Sequence, residues 1–307
     1  MGEKYEKKNK QHIVPKTYLK NFCYTNDKPF KIFSLDKRIK KIINTNADDI
    51  AQERNFYTVD RFEDKYIWEN FYAENIEPMM QDVIEKTLQL CELNVLTKDV
   101  KILEDTERKK LAVIIVCQML RDRHTRDYGK LILEQESPKI LAEIKSMVDE
   151  IGNKKASETL SKFTITDGMF KEMTMQFALD PERCSQFANI LYSRSWVLCK
   201  CKSSVFVTSD SPVVIMNMNT LNTTPFKNGI ADDSTVIFYP LSSKVLLALY
   251  SPNILWGSFD LVDSKVIQLD VLKDKKFIDT MNKKQLEHCY RQIYCESDDI
   301  LNNLIGK

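Results

Sequence analysis

Apolar residues first recur at helical spacing in "VPKTYLKNF", where Val14, Tyr18, Leu19 and Phe22 share a face and Pro15 stands at the first turn. That face can pack on the body of the protein. "PFKIFSLDKRIKKIINTN" then alternates as two strands around Asp36–Arg38, with β-branched and aromatic residues on both arms. "AQERNFYTV" follows as a loop or short extended segment. From about Glu63 to Arg194 the period is helical. It predicts helices over Asp64–Leu93, Glu104–Tyr128, Leu131–Ile151 (kinked at Pro138), Asp167–Leu179 and Pro181–Arg194. The polar stretch "NKKASETLSKFTITDG" reads as a hinge or excursion.

The texture changes at Trp196. "WVLCKCKSSVFVTSDSPVVIMN", "STVIFYPLSSKVLLALYS" and "SKVIQLD" are short apolar runs joined by brief connections. They read as strands of one mainly antiparallel sheet, followed by a helical tail over about Lys273–Leu304. Segregated helices and strands predict an α+β fold: a large helical block packed on a mainly antiparallel C-terminal sheet, with a small N-terminal β-hairpin. The expected organisation is a flexible basic leader (1–10), an N-terminal helix and hairpin (11–62), a helical block (63–194) and a sheet with closing helices (195–307). Residues 11–307 are expected to form one compact domain.

Composition narrows the class without naming it. Hydrophobic residues at 43% and charged residues at 29% are ordinary for a globular chain, and a net charge of +1 makes no global case for nucleic acid or membrane. The longest apolar run, "LAVIIVCQML", is about half of what a membrane span needs. "MGEKYEKKNK" has no apolar core and is not expected to act as a secretory signal. Eight scattered cysteines without a CxxC are expected to be reduced core thiols of a cytoplasmic protein. Cys199 and Cys201, two apart on a strand, would share a face but lack two further metal ligands. Abundant Lys, Ile and Asn with seven glycines is expected of a bacterial gene low in G+C.

Candidate chemistry begins in "LAVIIVCQMLRDRHTR". Gln118 and Arg121 lie one turn apart on a helix apolar enough to be buried, where an arginine needs a counter-charge or an anionic ligand. Arg123 and Arg126 extend that end. Glu69 and Glu77 in "YIWENFYAENIEP" are eight apart, on roughly one face about 12 Å apart. They could neutralise Arg121, hold a metal or transfer protons, or simply make a structural ion pair. In "VFVTSDSPVV", Ser209 and Asp210 stand at a strand end before Pro212; Asp210 suits a base, a metal ligand or a turn cap. His12, three residues before Pro15, is the placed imidazole, whereas His124 and His288 read as surface or packed groups. Walker, GxGxxG, HExxH, EF-hand and GxSxG motifs are absent.

"QHIVPKTYLKNF" (Gln11–Phe22), "RNFYTV" (Arg54–Val59), "WENFYAENIE" (Trp68–Glu77), "QMLRDRHTR" (Gln118–Arg126), "FVTSDSPVV" (Phe206–Val214) and "YPLSSKVLLAL" (Tyr239–Leu249) occur in the order of a known pattern. On these the chain resembles the bacterial domain of unknown function 4238 family over about residues 11–295. The resemblance implies candidate positions, adding Asn282 as a binding group, but no activity. At one point the chain departs from it: the family has a proline where Arg123 stands, which questions how the local helix ends.

Two readings follow. In the first, His12, Glu69, Glu77 and Asp210 act as catalytic groups and Gln118, Arg121, Arg126, Ser209 and Asn282 bind substrate, all meeting between helical block and sheet. That set suits hydrolysis of a phosphoester in a nucleotide or nucleic acid, with a divalent metal. In the second, the polar set is structural, and the chain is a non-catalytic module for a protein or nucleic-acid partner. A small-molecule sensor using the same pocket is a third.

Overall fold

The computed structural model describes residues 10–59, 62–93, 102–253 and 263–306. Chain order begins with β1 (Lys10–His12), then α1 (Lys16–Leu19), which tightens into a 3-10 turn over Lys20–Phe22. Pro15 caps α1, and Val14, Tyr18, Leu19 and Phe22 are all buried. β2 (Lys31–Asp36) and β3 (Lys41–Asn46) form the expected hairpin, and β4 (Gln52–Arg54) pairs antiparallel with β1. Apart from Lys10, the basic leader lies outside the described residues.

The helical block opens with α2 (Ile67–Phe71), a π-helical turn (Tyr72–Ile76) and α3 (Glu77–Leu93). It continues through α4 (Asp105–Leu120), α5 (Arg123–Glu150), α6 (Lys154–Lys162), α7 (Asp167–Ala178) and α8 (Pro181–Tyr192). The helix expected over Glu104–Tyr128 is two helices. Asp122, in extended conformation, N-caps α5 by accepting the amide of His124 at 2.7 Å, and that ends α4 at Leu120. Arg123 is thus the first residue of a helix, where proline is also favoured, so the family's proline and this arginine serve the same break. α5 runs through Pro138, and the expected polar interruption carries α6, capped by Asn153.

β5 (Ser195–Cys201), β6 (Thr208–Ser209), β7 (Val214–Asn217), β8 (Thr235–Pro240), β9 (Val245–Tyr250) and β10 (Lys265–Leu269) follow, then α9 (Lys275–His288), β11 (Gln292–Cys295) and α10 (Asp298–Leu304). There are two large sheets here, not one. The first has the order β10-β5-β9-β8-β7 and is antiparallel except where β10 runs parallel to β5. The second, β3-β2-β11-β6, joins the N-terminal hairpin to the C-terminal region. β11 interrupts the expected helical tail; its isoleucine, tyrosine and cysteine are buried between β2 and β6.

Both faces of the five-stranded sheet are covered, which is why its strands read as nearly continuous apolar runs. Trp196, Leu198, Ile237, Leu247 and Leu249 face the core shared with α4. Val197, Cys199, Cys201, Phe238 and Leu246 pack on Ile278 and Met281 of α9. Cys199 and Cys201 do share a face, and burial pushes their thiols up to about 12 and about 11, the state of inert core groups. From Leu111 onward α4 is apolar nearly all round, with Leu111, Ala112, Ile114, Ile115 and Val116 all buried, so this half forms the central rod. No helix of the described residues is long and apolar enough to cross a membrane.

Candidate functional site

The end of α4 delivers Arg121 into the interior, with 2% of its surface exposed. Its Nε donates to the Tyr57 hydroxyl at 2.9 Å and its Nη2 to the His12 carbonyl. Its guanidinium carbon lies 4.3 Å from the Tyr72 ring centre, and Glu77 Oε1 is 3.8 Å from Nη2. Burial alone would strip its charge, but Tyr57, Glu77 and Tyr72 outweigh that and hold the proton firmly. Burial raises the Glu77 carboxyl, with Arg121 opposing. Gln118 Nε2 donates to the Ile13 carbonyl at 3.3 Å. Glu69, on α2, acts electrostatically on the Tyr57 phenol. Arg126 Nη1 donates to the Phe56 carbonyl at 3.3 Å, its guanidinium carbon 4.6 Å from the Phe56 ring centre.

His12, Glu69, Glu77, Gln118, Arg121 and Arg126 therefore gather around residues 52–58. The imidazole is committed there: its Nε2 lies 2.9 Å from Gln52 Nε2, which also donates to the Asp48 carbonyl, so His12 Nε2 is the acceptor. Burial and then Arg121 lower its pKa to about 4, so it is neutral near pH 7. Nε and Nη2 of Arg121 are spent on the protein's own oxygens. Its Nη1, with Gln118 Oε1 and the Tyr72 hydroxyl, is buried without a hydrogen-bond partner.

Ser209, Asp210 and Asn282 lie elsewhere, so the expected meeting of all nine residues does not occur. Asp210 Oδ1 accepts the amide of Tyr290 at 2.9 Å, and Oδ2 accepts those of Arg291 and Gln292 at 2.8 and 2.9 Å. The carboxylate fastens the turn into β11 onto β6. Burial raises it to about 6 against the pull of those amides. Ser209 Oγ accepts from Gln285 Nε2 at 2.6 Å and from the Ser211 amide at 3.0 Å. Asn282 clamps the strand approach, donating to the Val205 carbonyl at 2.7 Å and accepting from the Val207 amide at 3.2 Å. Neither His12 nor Arg121 bonds to any of these three.

The accessible hollow is a cavity of about 490 Å³ beyond the α4–α5 break. Met119 and Leu120 form one wall, Tyr128, Gly129 and Ile132 of α5 another, and Met173 and Phe177 of α7 a third. Val213 and Ile215 close the sheet side, and Phe226 and Ile230 come from the β7–β8 connection. Gly129 lets α5 pack closely on α7: a Cβ there would stand 3.1 Å from Thr174 Oγ1, a tight contact. The chamber is mostly apolar; Asp122, His124 and His288 cluster at one end, while Thr125, Thr174 and Asn228 also line it with their donors turned to backbone carbonyls. Ile132 and Phe226, at 41% and 45% exposed, mark its open side.

At that polar end Asp122 Oδ1 accepts from the His124 amide and from Ser211 Oγ at 3.0 Å. Burial raises its carboxyl to about 7, the two hydrogen bonds opposing. His124 Nε2 is 2.8 Å from the His288 carbonyl, and His288 Nδ1 is 3.0 Å from the Thr223 carbonyl, so both nitrogens carry the proton. Burial lowers both imidazoles, His288 to about 4. The group can bind hydrogen-bonding atoms and shuttle a proton near neutral pH. Asp122 is not among the candidates the sequence offers, and the sequence reads His124 and His288 as surface or packed groups. The D-x-H spacing that caps a helix is legible in the sequence, but a cavity assembled from segments as far apart as Met119 and His288 is not.

Among the described residues no group of three His, Cys, Asp or Glu is placed to hold a metal ion. A family model described as "Protein of unknown function (DUF4238)" matches residues 10–299. No curated protein and no solved structure matches the chain.

Proposed function

Because the chain belongs to the DUF4238 family, whose description carries no activity, we propose its function from the cavity: it binds a small, largely apolar molecule whose polar group meets Asp122, His124 and His288. One observation carries this reading. A hollow of about 490 Å³, apolar along its walls and polar at one end, has the size and lining of a ligand site. A core merely left imperfectly packed would not put two imidazoles and a carboxyl at one end of so large a space.

The phosphoester reading draws less support. Such a substrate needs cations facing it, and neither Lys nor Arg lines the cavity, while Arg121 is committed to Tyr57, His12 and Glu77. Turnover at the same end is a second reading, favoured by Asp122, whose carboxyl at about 7 can give and take a proton beside His124.

The test is a titration of the full chain with Nile red, a neutral polarity-sensitive dye. One saturable site with enhanced, blue-shifted emission is expected. The Ile132→Trp/Met173→Trp double variant, which fills the exposed side of the cavity, should lose it while melting as the parent does. Equal dye binding in both proteins removes the cavity from consideration.

A further inference from the structure

The polar end differs from an ordinary hydrogen-bonding patch in what it offers. His124 Nε2 is spent as a donor on the His288 carbonyl, which leaves Nδ1 as that ring's acceptor. His288 Nδ1 is spent on the Thr223 carbonyl. Asp122 Oδ1 takes the His124 amide and the Ser211 hydroxyl, and Oδ2 holds no hydrogen bond among the described residues. The chamber thus presents acceptors and one acidic group. Tyr128, Phe177, Phe187 and Phe226 add aromatic faces to its walls, and no cation stands among its lining residues.

Resting on the assignment of this cavity to ligand binding, we propose that the ligand is an amphiphilic amine, its apolar body in the chamber and its protonated nitrogen against Asp122 Oδ2. The carboxyl is raised to about 7 in the free protein because it is buried without a counter-cation, and the ligand supplies one. Other charges around it do not fill that role. His124 and Asp127 come from α5, Asp210 from just beyond β6 and His288 from α9. Lys37, from the β2–β3 turn, bonds the Cys289 carbonyl and acts on the two imidazoles, and the adjacent Arg121 serves Tyr57 and His12. An anionic head would meet a carboxylate; a cationic one completes the ion pair.

Calorimetry on the full chain with three probes of one body (phenylbutylamine, phenylbutanol and phenylbutyrate) tests this, each also being run as a competitor of Nile red. The amine is expected to bind about tenfold to a hundredfold tighter than the alcohol, and the carboxylate weakest. Amine affinity should rise about tenfold per pH unit up to about 7 and then level, since the cation selects ionised Asp122. Asp122→Asn keeps an oxygen to cap α5 and should erase the preference for amine over alcohol. An amine no better than the alcohol, or a preference that survives Asp122→Asn, overturns the proposal. If Nile red binds and the amine is not preferred, only the amine assignment falls; if Nile red does not bind, the cavity assignment falls with it.

Discussion

Arg121 and Asp122 share a peptide bond, yet their side chains belong to two different buried centres. The guanidinium is held by the Tyr57 hydroxyl, the Tyr72 ring and the His12 carbonyl, while the carboxyl accepts from Ser211 and lines the cavity. The break between α4 and α5 is what divides them. A continuous helix would have carried both side chains around one cylinder, a hundred degrees apart or so. The cap by Asp122 instead turns the chain at that point.

Arg121 is expected to act on stability and not on ligand affinity. Arg121→Met leaves Glu77 without its partner and strips the Tyr57 hydroxyl and His12 carbonyl of a donor. Losing one member of a buried ionic group costs about 3–5 kcal/mol. Arg121→Lys should recover less than half, because an ammonium cannot lie flat on Tyr72 while reaching both oxygens. Urea midpoints at constant m measure this. A loss below about 1 kcal/mol for the methionine variant, or a large change in Nile red affinity, counts against the assignment.

Asp210→Ala is expected to loosen the turn into β11 by about 3 kcal/mol, since the amides of Tyr290, Arg291 and Gln292 lose their acceptor together. Asp210→Asn keeps one acceptor oxygen and should cost less. Amide hydrogen exchange at residues 290–292 reports the loss directly. Unchanged protection there in the alanine variant would mean that other groups carry the turn.

What could be read in the sequence follows from the range of each interaction. Pro15 with Tyr18 and Leu19, or the β2–β3 hairpin, is local, and its period alone determines it. The pairing of Glu77 with Arg121 was legible because a buried guanidinium needs partners and few polar groups sit in apolar surroundings. β11 was missed because its four residues, "QIYC", follow a helix without a strong breaker, and its strand state comes from pairing with β2, more than 250 positions earlier. For Asp210 base, metal ligand and turn cap stayed open, because its partners are the backbone amides of Tyr290, Arg291 and Gln292, distant in sequence, which no side-chain pattern betrays.

Stability should respond to pH through two opposed pairs. Asp122 and Asp210 are raised from 3.8 to about 7 and about 6, so between about 4 and 6 the folded chain holds more protons than the unfolded one, and their contribution falls as pH rises. His12 and His288 are lowered from 6.5 to about 4, so their contribution grows over about 4 to 6.5. The wild-type profile is therefore expected to be shallow. In Asp122→Asn/Asp210→Asn the lowered imidazoles of His12, His124 and His288 are opposed chiefly by the raised Glu77 carboxyl, and stability should climb with pH, by up to about 1.4 kcal/mol per pH unit for each imidazole. Urea unfolding across that range checks the sign; a variant as flat as the wild type would refute these protonation states.

Access to the cavity is expected to depend on Tyr128 and Phe226. Their rings stack at 4.1 Å and 7°, joining α5 to the β7–β8 connection, and both line the hollow. Phe226 has φ 62°, an unusual conformation for a side chain of that size, so the loop that carries it is held in a particular shape. Opening must break the ring pair, which is worth about 0.5–1.5 kcal/mol beyond the area it buries. Phe226→Ala should then speed both uptake and release of Nile red by about twofold to tenfold, with affinity changing less than either rate. Phe226→Trp keeps an aromatic face and should leave both slow. Stopped-flow fluorescence separates these cases. If both variants exchange dye at the parental rate, the opening lies at Ile132 and Phe177 on the helical side, and the stacked pair is only a wall.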